Sequence, residues 1–284
     1  MKRILIPTDF SKNAWNAISF AMEFFKDQDC TFYFLHTYTP AFYRMDYMMG
    51  GPSYSAIPDA GVALSLAGLE RTLEDIKKQF PNKKHSYETL SAFNLLIDEI
   101  KEVCTEKNID MIVMGTKGAT GAKEIFMGTQ TVYTIRKVNT PVLAIPDDYS
   151  YRPVRHILFP SDYMSRYKQM ELDILIALAK TYAAKIIVLH ATEEDPISEK
   201  QNKNKAFLAR SLKEVPHTFE EIEKQYMPNV VYQFIQHQDI ELLVMMNRKH
   251  SFLERLLIKQ NVDAIGFEIN IPFLVIRDTS EIAV

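Results

Sequence analysis

The amino-acid sequence predicts an α/β protein of two repeated doubly wound domains, each with a five-stranded parallel sheet flanked by helices. Two internal matches support the repeat. Residues 3–9 (RILIPTD) recur as residues 156–162 (HILFPSD), 153 positions later, and residues 110–147 align without a gap to residues 241–278. Within each half, short apolar runs alternate with stretches whose apolar residues lie three and four apart, which favours strands alternating with helices. We therefore expect one domain at residues 1–148 and a second at residues 153–284.

The first half begins with two strands around a helix. Residues 3–7 are an apolar run of the kind that forms a buried strand, and residues 31–35 are a second one. Between them we expect a helix from about Ser11, whose side chain can cap the first turn. Its apolar stripe faces the sheet and comprises Ala14, Trp15, Ile18, Ala21, Met22 and Phe25.

The rest of the first half continues the alternation. A long second helix is marked by Val62, Leu66, Leu69, Leu73, Ile76 and Phe80, and a third by Phe93, Leu96, Ile97, Ile100 and Cys104. Strands are expected at residues 85–90, 109–114 and 142–145, and a last helix at residues 129–138. In such a sheet both faces are covered and ligands lie at the carboxyl ends of the strands, where the winding direction switches.

Four glycines follow the fourth predicted strand, and three of them form the pattern Gly115-x2-Gly118-x9-Gly128, with Thr129 next. Gly115 and Gly118 let the backbone adopt positive φ and approach a ligand closely, and Gly128-Thr129 opens a helix whose amides and positive dipole end favour an anion. Lys117 adds a positive charge. A phosphate site is the favoured interpretation, and a flexible glycine loop is the alternative.

The second half serves as an internal control for this pattern. At the positions of Gly115, Gly118, Gly128 and Thr129 it has Met246, Lys249, Lys259 and Gln260. The strand and helix patterns around these positions persist although the glycines are lost, so the glycines are not needed for folding. We therefore expect one competent site, in the first domain, and a degenerate one in the second.

Asp9 and His36 lie at the same predicted edge, and each has a counterpart in the second half, Asp162 and His190. The Asp9 carboxylate either accepts hydrogen bonds from a ribose or base, or caps the following helix. For the histidines, a packed side chain with a backbone partner is favoured over catalysis. Residues 40–61, a Gly/Pro-broken loop rich in Tyr, Phe and Met, are interpreted as a lid or interface, with partial disorder as the alternative.

Composition excludes several functional classes. The net charge is −3, and a mildly acidic chain does not favour a nucleic-acid partner. No stretch approaches about 18 apolar residues, so we expect no membrane span. Two cysteines without a CxxC motif and a charged N-terminus indicate a cytoplasmic protein without a secretory signal. No nucleophile or metal-ligand motif is present, so no catalytic residue and no metal ligand is predicted.

The order Pro7-Thr8-Asp9, the glycine segment and Pro141-Val142 resembles a tandem universal stress protein, whose first domain is of the ATP-binding type. The resemblance implies an adenine nucleotide alpha hydrolase-like fold with ATP or another adenine nucleotide at the switch point. It implies that Asp9 contacts the adenosine part and that the glycines and Thr129 hold ribose and phosphates. The residues expected at the nucleotide are Pro7, Thr8, Asp9, Thr37, Met114, Gly115, Lys117, Gly118, Gly128, Thr129 and Gln130.

The function expected from this resemblance is an ATP-binding stress-response regulator or sensor that acts through an unknown protein partner. The resemblance also implies that the two domains pair within one chain through residues 142–145 and 273–276, or that the whole chain forms a homodimer. Two alternatives stay open. One is a slow ATPase or phosphotransfer enzyme, with Mg²⁺ held mainly by the phosphates, and the other is a nucleotide-free adaptor that uses the aromatic loop.

Overall fold

The computed structural model describes residues 1–38, 60–116, 128–192, 196–223, 225–247 and 270–277. Backbone contacts divide these residues into two compact units, the first ending at Val142 and the second beginning at Leu143. The expected domain bounds of 1–148 and 153–284 stay a prediction. All but the last two residues of the aromatic loop at 40–61 lie outside the described residues, so the lid or interface role also stays a prediction.

The first unit alternates strands and helices in the predicted order. Its elements are β1 (Lys2–Pro7), α1 (Lys12–Phe24), β2 (Cys30–Tyr38), α2 (Ala60–Gln79), β3 (His85–Phe93), α3 (Leu96–Glu106), β4 (Met111–Gly115) and α4 (Thr129–Lys137). A further strand, β5 (Val142–Ile145), begins at the last residue of this unit. The strand order of the unit is β3-β2-β1-β4, and β1 pairs in parallel with both β2 and β4. The chain thus adds β2 and β3 on one side of β1 and then places β4 on the other side. The switch point therefore lies between β1 and β4.

Helix α1 begins as its sequence predicts. Ser11 has extended backbone angles, and its hydroxyl accepts a hydrogen bond from the Ala14 N–H over 3.2 Å, so the predicted cap is confirmed. The predicted stripe is buried against the sheet except for Trp15, which is only half-buried. Strand β1 is equally apolar on both faces, since Ile4, Leu5 and Ile6 are all fully buried.

One detail of the predicted helices is wrong. Phe93 was expected in the third helix but is the last residue of β3, where it pairs with Tyr38 of β2 and its side chain is 50% exposed. The error arises because apolar spacing is a local pattern, whereas strand pairing is set by residues distant in sequence. The second helix contains Leu66 as predicted, and this side chain is exposed.

The second unit repeats this architecture. Its elements are β6 (His156–Pro160), α5 (Gln169–Tyr182), β7 (Lys185–Thr192), α6 (Glu199–Ser211), β8 (His217–Glu223), α7 (Met227–His237), β9 (Leu242–Asn247) and β10 (Phe273–Arg277). The strand order is β10-β9-β6-β7-β8, and each of these neighbouring pairs is parallel. No helix among the described residues is long and apolar enough to cross a membrane.

Each unit also contains the same kind of hydrogen bond at an equivalent position. The Asp110 carboxylate accepts from the Arg3 N–H over 2.7 Å, and the Glu241 carboxylate accepts from the His156 N–H over 2.8 Å. These two pairs lie at the offsets found in the sequence, 153 for the strand start and 131 for the acidic residue. The predicted repeat, with its α/β fold, is therefore confirmed.

Candidate functional site

A cavity of about 350 Å³ lies in the first unit at the carboxyl ends of β1, β2 and β4. Its volume falls in the range of about 300–1,000 Å³ that is typical of small-molecule sites. The position is the switch point between β1 and β4, where ligands bind in open α/β sheets. It is lined by Pro7, Thr8, Asp9, Ala14, His36, Thr37, Leu96, Met114, Gly115, Gly128, Thr129, Gln130 and Thr131.

Nine of the eleven residues expected at a nucleotide line this cavity. The other two, Lys117 and Gly118, lie outside the described residues. Sequence reasoning missed four lining residues, Ala14, His36, Leu96 and Thr131. Thr131 could have been found from its place one turn after Gly128. Ala14 and Leu96 carry no such signal, because they reach the cavity through the packing of α1 and α3.

The first turn of α4 has several amides that bond no described group. Gly128 is the N-cap and has no side chain to bond them, and the first intrahelical bond runs from the Val132 N–H to the Gly128 carbonyl at 3.1 Å. The N–H groups of Thr129, Gln130 and Thr131 make no hydrogen bond with any described group. Three donors at the positive end of a helix therefore border the cavity.

Gly128 contributes to this arrangement by lacking a side chain, not by an unusual backbone conformation. Its φ of −60° and ψ of 148° are extended values that any residue adopts. Ser, Thr, Asp or Asn at this position would bond the amides of the first turn with its own oxygen. Glycine keeps those donors available for a ligand.

Two hydrogen bonds hold the start of α4 against the end of β4. The Thr131 hydroxyl donates to the Gly115 carbonyl over 2.8 Å, and the Gly128 N–H donates to the Thr116 carbonyl over 2.6 Å. The Thr131 side chain is buried, so its contact with Gly115 is partly shielded from water. The amides of α4 and the end of β4 are thereby kept beside each other on the cavity wall.

Asp9 lines the cavity and also stabilises its own turn. Its carboxylate accepts a hydrogen bond from the Ser11 N–H over 3.0 Å, and Asp162 accepts from the Met164 N–H over 3.0 Å in the second unit. The shared bond shows that this aspartate has a structural role in both copies. Contact of Asp9 with a ribose or base stays a prediction.

His36 is a packed histidine with a backbone partner, as predicted. Its Nδ1 lies 2.8 Å from the Thr8 carbonyl oxygen, and its ring centroid lies 4.4 Å from that of Phe10. His190 has the same contact with the Ser161 carbonyl at 2.7 Å. His36 differs in that it lines the cavity.

The charge at the cavity is sparse. Asp9 is the one carboxylate among the lining residues that the structure describes, and no lysine or arginine is among them. Attraction of an anion by these residues therefore depends on backbone amides and the helix dipole. The described parts of the chain contain no group of three or more His, Cys, Asp or Glu side chains placed to hold a metal ion.

The second unit differs at the corresponding strand end. Met246, at the position of Gly115, is buried near the end of β9. The positions of Gly118, Gly128 and Thr129 correspond to Lys249, Lys259 and Gln260, which lie outside the described residues. The methionine places a long apolar side chain where the first unit has only backbone.

The repeated doubly wound arrangement, with a cavity at the switch point of the first unit, defines a tandem α/β protein with parallel sheets. The sequence matches the universal stress protein family twice, over residues 1–146 and 153–277. The chain therefore belongs to this family and carries two of its domains.

Several individual proteins are similar to this chain in sequence or in fold. Universal stress protein MJ0577 of Methanocaldococcus jannaschii is 25% identical over 163 residues, which cover 51% of this chain and 94% of that protein. A universal stress protein from Archaeoglobus fulgidus has the same fold, with a TM-score of 0.67 and 14% identity over 97% of this chain and 96% of that one. A universal stress protein solved in complex with cAMP is 17% identical over 51% of this chain and 96% of that chain, with a TM-score of 0.37.

Proposed function

We propose that this protein is a stress-response regulator that binds one adenine nucleotide, ATP or a close relative, in the cavity of the first unit. The observation that carries the proposal is the uncapped first turn of α4, where the amides of Thr129, Gln130 and Thr131 border the cavity. Free amides at a helix N-terminus are a general means of holding phosphate.

The amides also suit the chemistry of a bound triphosphate. With no lysine or arginine among the described lining residues, the phosphates would be held by neutral donors together with Lys117, which follows β4 closely in sequence. Adenine is the base we propose because the chain is a universal stress protein, and another member of that family has been solved with cAMP. Mg²⁺, where present, would be held mainly by the phosphates.

The direct test is calorimetric titration of ATP into wild type, Gly128→Arg and Lys259→Arg. Arginine at position 128 fills the space beside the free amides, so we expect at least about a tenfold loss of affinity. Lys259→Arg makes the matched change in the second copy and should leave affinity unchanged. Circular dichroism and thermal melts verify that both variants are folded. Equal ATP affinity in all three proteins would contradict the proposal.

The same titration counts the sites. Because Met246 and the two lysines replace the three motif glycines of the second copy, we expect about one nucleotide per chain. A stoichiometry near two would show that the second copy binds as well. Mass spectrometry of small molecules released from gently purified protein would identify the natural ligand.

Other parts of the hypothesis stay predictions. Pairing of the two domains within one chain through residues 142–145 and 273–276 predicts slow amide exchange in both strands. A homodimer of the whole chain would be detected by light scattering during gel filtration at several concentrations. Location in the cytoplasm is tested by cell fractionation, and slow ATP hydrolysis by phosphate release that disappears in Gly128→Arg.

A further inference from the structure

A histidine and an aromatic ring form the same unit in both copies. His36 packs against Phe10 with tilted rings whose centroids lie 4.4 Å apart, and His190 stacks on Tyr163 at 4.6 Å. In both copies the aromatic residue follows the aspartate and has positive φ, 62° for Phe10 and 54° for Tyr163. Each ring is therefore held in place by the turn after the first strand of its unit.

The backbone partner determines which nitrogen of His36 carries the proton. Nδ1 lies 2.8 Å from the Thr8 carbonyl oxygen, and a carbonyl oxygen only accepts hydrogen bonds. Nδ1 must therefore be the donor. In the neutral ring the other nitrogen, Nε2, is then an acceptor with a free lone pair.

The two copies differ in what surrounds this acceptor. His190 is buried, and its Nε2 is enclosed against the fully buried Tyr163 with no hydrogen-bond partner among the described residues. His36 is half-buried and lines the cavity, and Phe10 beside it is 40% exposed. No described residue bonds Nε2 of His36.

The sheet separates this acceptor from the donors of α4. His36 is near the end of β2, whereas α4 follows β4, and β1 lies between those two strands. Two strand spacings amount to about 10 Å. The cavity thus offers amide donors on the β4 side and an acceptor on the β2 side, which suits a ligand with an anion at one end and a hydrogen-bond donor at the other.

The geometry points to His36 as a specificity-determining residue whose Nε2 accepts a hydrogen bond from the nucleoside part of the ligand. The donor is a ribose hydroxyl or the exocyclic amino group of the base. This inference rests on the proposed nucleotide site and extends it, because it assigns a ligand contact to a side chain whose other interactions are explained by packing.

Two substitutions of His36 separate its ligand contact from its packing role. In His36→Asn the side-chain amide can still donate to the Thr8 carbonyl, but no atom reaches the position of Nε2. In His36→Gln the longer side chain restores an acceptor there and gives up the Thr8 contact. His190→Asn is the matched control, since it changes the same packed unit in the second copy, where the histidine is buried.

The variants are titrated with ATP, 2′-deoxyATP, 3′-deoxyATP and the purine riboside triphosphate that lacks the 6-amino group. We expect His36→Asn to weaken ATP binding about 3- to 10-fold, the effect of one hydrogen bond, and His36→Gln to recover part of the loss. The analogue that lacks the group bonded to Nε2 should bind wild type and His36→Asn with equal affinity. This equality identifies which group of ATP is the donor. His190→Asn should bind ATP as wild type does.

Three results would overturn the inference. If wild type binds ATP and His36→Asn binds it equally well, Nε2 has no ligand contact. If His36→Asn weakens all four ligands by the same factor, or if His190→Asn weakens ATP as much, the effect is one of folding. If wild type binds none of the ligands, the proposed nucleotide site itself is wrong and the role of His36 fails with it.

Discussion

The hydroxyl of Thr131 donates a hydrogen bond to the carbonyl of Gly115 over 2.8 Å, so the first turn of α4 is joined to the last residue of β4. The threonine side chain is buried, and both residues line the cavity. This contact keeps the free amides of α4 at the strand end where an anion would bind. Its removal should therefore affect binding as well as stability.

We expect Thr131→Val to lower the free energy of unfolding by about 1 kcal/mol, the usual value of one buried hydrogen bond, and to weaken ATP binding. Thr134→Val is the control, because the fully buried Thr134 hydroxyl bonds only within α4, to the Gln130 carbonyl at 2.8 Å. Urea unfolding and calorimetry measure the two effects. A loss of affinity in Thr134→Val as large as in Thr131→Val would mean that general helix stability, not the strand contact, matters.

Gly68 of α2 makes room for the ring of Phe10. A Cβ built at this glycine would lie 2.4 Å from the nearest ring carbon, so alanine must displace the ring. In a Phe10→Ala background, Gly68→Ala should stabilise the protein by up to about 1 kcal/mol through helix propensity. When Phe10 is present, we expect Gly68→Ala to stabilise the protein by about 1 kcal/mol less than in the Phe10→Ala background. Urea unfolding of the four proteins gives this coupling, and a value near zero would show that the ring moves away at no cost.

Two tyrosines of the second unit should respond in opposite directions to loss of the hydroxyl. The Tyr163 hydroxyl is buried and has no partner among the residues that the structure describes, whereas the Tyr167 hydroxyl lies 2.6 Å from the Ser161 hydroxyl. We expect Tyr163→Phe to raise the free energy of unfolding by about 1 kcal/mol and Tyr167→Phe to lower it by a similar amount. Phe10 already occupies the position of Tyr163 in the first unit, so the ring alone is compatible with the turn. Destabilisation by Tyr163→Phe in urea unfolding would contradict this account.

His85 should make stability depend on pH. Burial lowers the pKa of His85 below its usual value, although the Phe25 carbonyl, 3.1 Å from Nε2, acts in the opposite direction. The unfolded chain therefore binds a proton more readily than the folded one. The stabilising contribution of neutral His85 to the free energy of unfolding is fully present above about pH 6.5, the ordinary pKa of histidine. This contribution is lost as the pH falls below that value.

The measurement is urea unfolding at pH 7.5 and pH 5.5 for wild type and His85→Gln. Glutamine keeps a donor for the Phe25 carbonyl and does not titrate, so the variant should lose less stability on acidification. An identical loss in both proteins would assign the pH dependence to other groups.

Much of the fold could be predicted because the signals for its strands and helices lie in short stretches of sequence. Apolar runs of strand length mark β1, β4 and β5, and the hydroxyl of Ser11 marks the start of α1. Phe93 was wrongly assigned because its spacing continues the apolar pattern of α3, whereas its backbone pairs with Tyr38 of β2. For the cavity, the rule that parallel strands present their carboxyl ends at one edge predicted that Asp9 and Gly115 lie together there. Most of the other expected residues came from the family resemblance.

By itself, the sequence determined the repeat, the alternation of strands and helices, and the loss of the glycines from the second copy, because all three are patterns along the chain. Only the tertiary structure decided which groups meet: His36 with the Thr8 carbonyl, Thr131 with the Gly115 carbonyl, Phe10 with Gly68. It also decided that Phe10 is partly exposed while its counterpart Tyr163 is buried. These contacts join residues far apart in sequence, and their geometry depends on how helices pack on the sheet, which no local pattern encodes.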